Sequence, residues 1–144
     1  MNNPTSDPIA EALTLAHELH RDQRRKGSGV PYIAHLMGVA GIVGQYGGSE
    51  EQMIAALLHD AVEDQGGLDT LERIRRQFGD RVADWVYACS DTVESPKPEW
   101  RPRKERQIAK IRDASPEIKL ILAADKLDNL RSLALDLRVY GDAL

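Results

Sequence analysis

The run Met53-Ile54-Ala55-Ala56-Leu57-Leu58-His59-Asp60-Ala61-Val62-Glu63-Asp64 sets an unbroken apolar body directly against one imidazole and three carboxylates. Ser49 and Gln52 precede it with the spacing of a capping box, and Gly66 and Gly67 follow it as breakers, so the stretch reads as one helix. Glu63 lies four residues after His59 and three after Asp60, and Asp64 four after Asp60. On a continuous helix these groups share a face. Like charges so stacked repel one another, and acids at a helix C-terminus oppose its dipole. A divalent cation resolves both problems; a solvated acidic helix end with a surface histidine is the plainer alternative.

Working outward, the pattern is helical throughout. Asp7 and Pro8 open a first helix carrying Ile9, Leu13, Ala16 and His20 at helical spacing. Residues 26–30 read as a loop. Pro31 begins a second helix through Ile33, Leu36, Val39, Ala40 and Val43, which Gly47 and Gly48 close. Beyond the central helix, short helices are expected over residues 69–78 and 80–90. Residues 91–102, with three prolines, read as a loop, and a loop of that length in a compact domain is usually functional. A charged helix over 103–113 and a long one over 117–137, capped by Ser115 and Pro116, complete the chain. No segment alternates as a strand does. The expected fold is all-α, a compact bundle of about six to seven helices in a single domain over residues 1–144.

Composition agrees: 144 residues, 42% hydrophobic and 29% charged, suit one globular domain with its own core. A lone cysteine, Cys89, excludes an internal disulfide and a cysteine-cluster metal site, and points to a reducing compartment. Residues 1–7 lack a signal core and no apolar run reaches the ~20 residues of a membrane span, so a cytoplasmic, membrane-free protein is expected. The net charge of −4 disfavours general DNA or RNA binding. Positive charge is nevertheless clustered, in Arg21, Arg24, Arg25 and Lys26 and again in Lys97, Arg101, Arg103, Lys104 and Arg106. These are either two solvated surfaces or a rim that draws a small polyanion inward. The sequence carries no signal that selects an oligomeric state.

The last helix adds a second source of ligands. Ile118, Ile121 and Leu122 set its buried stripe, which Asp125 and Asn129 continue. A carboxylate on a core face needs a strong partner; Lys126 or Arg131 would serve, and so would a metal. His35, within the second helix, is by itself better explained as a hydrogen-bonded core residue, and becomes a candidate ligand only in combination with the other two helices. His17 and His20 have no comparable partners and read as structural or surface residues. His35, His59, Asp60 and Asp125 together form a mixed nitrogen–oxygen donor set, suited to manganese, iron(II) or zinc rather than to magnesium or calcium.

The order H…HD…D is the signature of the HD phosphohydrolase superfamily, and the surrounding residues narrow the resemblance. Arg25-Lys26 followed by Pro31-Tyr32-Ile33-Ala34-His35, then residues 55–64, then Phe78-Gly79 with Val82, then Ala124-Asp125-Lys126-Leu127-Asp128-Asn129-Leu130-Arg131 resemble the successive blocks of RelA/SpoT-type alarmone hydrolase domains. The short length is similar to that of stand-alone small alarmone hydrolases, the metazoan SpoT homologue among them. Leu36 stands where the family pattern carries proline, a change expected to alter helix geometry only locally. Relatives usually continue with another helical segment beyond the last motif, so the resemblance implies either that this sequence is a piece of a longer chain or that its pocket is more open.

The resemblance implies a Mn2+-dependent enzyme, with Fe2+ or Zn2+ as other ions, that hydrolyses the 3′-diphosphate of ppGpp or pppGpp to GDP or GTP plus pyrophosphate. Carried over by motif position, His35, His59, Asp60 and Asp125 hold the metal. Glu63 and Asp64 orient and deprotonate the attacking water. Arg25, Lys26 and Asn129 meet the guanosine polyphosphate; Tyr32 and Lys97 are further pocket residues, each with a plainer reading as packing or surface. Trp100 is expected to anchor its loop. Two other readings share these residues: hydrolysis of another nucleotide phosphate, such as the 2′-phosphate of NADPH, and a non-catalytic module that binds an alarmone or a partner.

Overall fold

A computed structural model describes residues 7–91, 94 and 96–143. Its helices are α1 (Pro8–Leu19), α2 (Ile33–Gln45), α3 (Glu50–Leu58), α4 (Ala61–Asp64), α5 (Gly67–Phe78), α6 (Asp80–Cys89), α7 (Trp100–Asp113) and α8 (Pro116–Tyr140), with a 3-10 turn over Gly141–Ala143. Seven of these are longer helices and α4 is a single turn, so the all-α expectation holds. Among the described residues the only β-type pairing is an isolated bridge between Arg24 and Pro31.

The helix starts follow local chemistry. Asp7 accepts the Ile9 amide at 3.0 Å, with Pro8 supplying a first position that needs no donor. The capping box closes in both directions: Gln52 N–H donates to Ser49 Oγ at 3.1 Å, and Ser49 N–H to Gln52 Oε1 at 2.8 Å. Gln52 Nε2 also donates to the Glu117 carbonyl at 3.3 Å, which ties the start of α3 to the first turn of α8. Ser115 caps α8 through the Ile118 amide.

The core lies around α3, which packs against α1, α2, α6 and α8. Leu36, Leu58, Ile74, Val86 and Ile121 are wholly buried there. Leu36 is also bonded where proline could not be, since its amide donates to the Tyr32 carbonyl.

Three elements depart from expectation. The central helix is not continuous: α3 ends at Leu58, His59 and Asp60 form a turn, and α4 restarts at Ala61. The His59 ring and amide both go to the Ala56 carbonyl, at 2.6 and 3.4 Å, which tightens the chain out of the α-helical ladder. Asp60 then takes φ −97 and ψ −3, so the acidic residues are turned rather than stacked on one ridge. The second helix starts at Ile33, with Pro31 in the preceding turn. Finally, α7 begins at Trp100, three residues earlier than expected, because Pro102 falls in the first turn, where no intrahelical donor is required. Trp100 is 67% exposed, so it does not anchor its loop.

Candidate metal centre and nucleotide pocket

The turn at His59 brings residues from α2, the α3–α4 turn and α8 to one point. One donor atom each from His35, His59, Asp60 and Asp125 falls within 4.8 Å of all the others. His59 Nε2 lies 3.1 Å from Asp60 Oδ2 and 3.2 Å from Asp125 Oδ1, and His35 Nε2 lies 3.1 Å from Asp125 Oδ1. Adjacent donors about 2.1 Å from a shared ion stand about 3 Å apart, so these spacings fit a divalent cation.

The ring tautomers fit as well. A carbonyl only accepts, so the Ala56 carbonyl fixes the proton on His59 Nδ1 and leaves Nε2 aimed at the cluster. On His35, Nδ1 is 2.6 Å from Asp128 Oδ2, which leaves Nε2 facing Asp125 and Asp60. The Tyr32 hydroxyl donates to Asp60 Oδ2 and fixes that carboxylate. Asp125 accepts from Lys126 Nζ and Asn129 Nδ2, both at 3.1 Å. The lysine pairing that competed with a metal in the sequence reading is therefore present, and it uses the other carboxylate oxygen, Oδ2, while Oδ1 faces the histidines.

Electrostatics describe a site that needs positive charge. Burial by itself lowers the pKa of His35, but hydrogen bonds to Asp125 and Asp60 outweigh it and raise it to about 9. His59 is likewise raised: burial opposes the proton, and the Asp60 and Asp125 carboxylates hold it. Burial would raise Asp60 and Asp125, yet the imidazoles keep both well below the usual carboxylate range. Protons on the rings thus do what a cation would do. Cys89, buried in the core, has its thiol pushed up to about 12 chiefly by burial.

Glu63 and Asp64 stand beside this cluster. Lys97 Nζ donates to Glu63 Oε1 at 3.0 Å and to Asp64 Oδ1 at 3.3 Å. The Asp91 amide donates to Glu63 Oε2 at 3.2 Å. Asp91 in turn pairs with Arg103 and Lys104, which fixes the start of α7. Asp64 is held from the other side by Gln23 Nε2 at 3.2 Å, and Gln23 is held by buried His20. His17 is exposed, as expected, whereas His20 supports this chain of contacts.

A cavity of about 480 Å3 opens from Asp60, Glu63 and Asp64, and Arg25, Lys26, Tyr32, Lys97 and Asn129 all line it. Its basic wall is built by a tight turn: Arg25 N–H donates to the Val30 carbonyl and Tyr32 N–H to that of Gln23, with Gly27 and Gly29 at positive φ. Arg25 Nη2 donates to Asn129 Oδ1 at 3.1 Å, so Asn129 links the basic wall to Asp125. The cavity thus brings cations beside the four donors that could hold a metal ion.

Sequence reasoning missed Gln23, Ser132, Leu133 and Asp136 in the lining, and the roles of Asp91, Arg103 and Asp128, whereas Arg24 belongs to the basic cluster read there as a possible rim. Ser132 and Asp136 follow Asn129 at helical spacing, a signal that was available. Asp91 and Arg103 meet only through tertiary folding.

Residues 12–138 match the family model described as HD domain. The chain is 41% identical over 128 residues to guanosine-3′,5′-bis(diphosphate) 3′-pyrophosphohydrolase MESH1 of Mus musculus, covering 87% of this chain and 69% of that protein. It is 34% identical over 128 residues to the guanosine-3′,5′-bis(diphosphate) 3′-pyrophosphohydrolase of Aquifex aeolicus, covering 89% of this chain and 18% of that longer protein. Among solved structures, one described as a metazoan orthologue of SpoT that hydrolyses ppGpp superposes with a TM-score of 0.81 at 36% identity, covering 92% of this chain and 74% of the other.

Proposed function

The chain belongs to the HD-domain family, and from that we infer that it is a metal-dependent hydrolase that removes the 3′-diphosphate of ppGpp or pppGpp. Its relatives at 41% identity carry that activity in their names. The observation that carries the reading is the meeting of His35, His59, Asp60 and Asp125, with Asp60 also lining a cavity that Arg24, Arg25, Lys26 and Lys97 share.

The four residues would hold a divalent cation; their mixed nitrogen and oxygen donors suit manganese, iron(II) or zinc, and we take manganese because the family resemblance implies it. When bound, such an ion supplies Lewis acidity and makes water more acidic. Arg25, Lys26 and Asn129 seat the nucleotide phosphates with charge-assisted hydrogen bonds. Tyr32 keeps Asp60 in place. Glu63 and Asp64 orient the water and take its proton. The water oxygen bonds to the phosphorus next to the ribose 3′-oxygen, the bond to that oxygen breaks, and the 3′-oxygen leaves with a proton as a hydroxyl. The products are GDP or GTP and pyrophosphate. Lys97 and Arg25 offset the charge that gathers on the transferring phosphoryl group.

Chromatography of products from ppGpp and from NADPH, run side by side in water labelled with oxygen-18, tests the reading. Conversion of ppGpp to GDP with the label in pyrophosphate is expected. Turnover of NADPH alone, or label in the ribose hydroxyl, would refute it.

A further inference from the structure

We infer that Asp128 is a positioning residue for the metal centre: it orients His35 and strengthens it as a donor, in a space that Gly38 keeps open. The inference rests on the proposed cation site. Its basis is a hydrogen bond from the His35 ring, 1% exposed, to the Asp128 carboxylate at 2.6 Å, reaching from α2 to α8. An ionised carboxylate cannot donate, so the proton stays on Nδ1 and Nε2 is turned toward Asp125 and Asp60.

Gly38 supplies the second, independent observation. It lies inside α2, where glycine weakens a helix relative to alanine. Its backbone does not require glycine, since it is absent from the positive-φ residues. Space favours it while the carboxylate keeps its place: a Cβ at Gly38 would overlap Asp128 Oδ1 and stand 3.1 Å from its Cγ, so the carboxylate would have to move. The helix thus carries an unfavourable residue at the place where this carboxylate lies against it.

The two imidazoles of the cluster are consequently unequal. His59 is backed by the neutral Ala56 carbonyl, and His35 by a full negative charge. A carboxylate behind a ligating imidazole raises its basicity and locks its orientation, and loss of such a partner weakens metal binding or activity by about 10–100-fold. If the contact served only to join α2 to α8, its loss would lower stability and leave the metal untouched.

The test measures Mn2+ affinity by titration of the full chain, metal-stripped, alongside the visible spectrum of the Co2+-loaded form. Asp128→Asn keeps the shape and removes the charge; it is expected to weaken Mn2+ binding about 10–100-fold and to shift the Co2+ bands. At saturating Mn2+, kcat should fall with KM for ppGpp unchanged. Gly38→Ala displaces the carboxylate and should reproduce the weaker binding, with no further loss when combined with Asp128→Ala. Wild-type affinity within about twofold in Asp128→Asn, or fully additive losses in the double variant, would overturn the inference. Failure of the unaltered protein to bind Mn2+ would overturn the cation site itself and this inference with it.

Discussion

The Lys97 ammonium lies 3.0 Å from Glu63 Oε1, so the segment leading into α7 is tied to the residue proposed to take a proton from water. Glu63 also receives the Asp91 amide. Hydrogen-bond donors on one side leave the carboxylate oriented, and an incoming phosphate competes for the lysine. Lys97→Ala should lower kcat/KM for ppGpp roughly fivefold, a modest figure because a 43%-exposed ammonium is screened by solvent. The loss should shrink at high salt. Steady-state kinetics at two ionic strengths measure it, and a salt-independent loss would contradict the charge pairing.

Glu63→Gln should separate binding from chemistry. The amide retains the shape and can accept from only one of the two donors that meet Glu63, Lys97 and the Asp91 amide; it cannot take a proton, and loss of a general base costs about 10²–10⁴ in rate. Bound manganese should remain stoichiometric, since Glu63 lies outside the four-donor cluster. Metal analysis beside kcat checks this; loss of metal together with activity would move Glu63 into the ligand set.

Much of this was legible in the sequence for physical reasons. Capping at Asp7, Ser49 and Ser115 is local chemistry, and the helices begin where it says. His59, Asp60 and Asp125 stood out because acids and an imidazole adjoin apolar stripes, whereas His35 became a candidate only in combination with them. The break at His59 was not legible, because it depends on the ring bonding back to the Ala56 carbonyl, a rotamer choice set by the cluster itself. The start of α7 was obscured by Pro102, which reads as a breaker but is tolerated in a first turn. Asp128 and Gly38 are unremarkable in sequence; their relation exists only once α2 and α8 cross.

The metal-free protein should lose stability as pH rises. The raised pKa of His35, from 6.5 to about 9, means its ion pairs stabilise the fold fully below 6.5 and are lost as pH passes through 9. The depressed Asp60 and Asp125 act oppositely: their contribution is present above the ordinary value of 3.8 and is lost as pH falls toward their folded values. A cation displaces the ring protons, so Mn2+ affinity should climb between pH 6 and about 9 with release of protons. Melting curves across pH, with and without Mn2+, should therefore diverge most at high pH. Parallel curves would contradict proton–metal competition.

Leu58→Ala tests whether the core underneath holds the site. Leu58 is wholly buried and immediately precedes His59. Truncation should cost about 2–5 kcal/mol in denaturant unfolding. Mn2+ should recover part of that loss by binding the folded state alone. A change below about 1 kcal/mol would show that this end of α3 is not packed as described.

Four residues from three parts of the chain are proposed to hold one cation on which ppGpp hydrolysis depends. Pyrophosphate release from ppGpp, measured on metal-stripped protein before and after Mn2+ is returned, with His59→Ala alongside, tests that proposal most directly. Background release is expected without metal, recovery in the unaltered protein on adding Mn2+, and neither recovery nor bound metal in His59→Ala. Undiminished release by a His59→Ala protein with full metal content would contradict it.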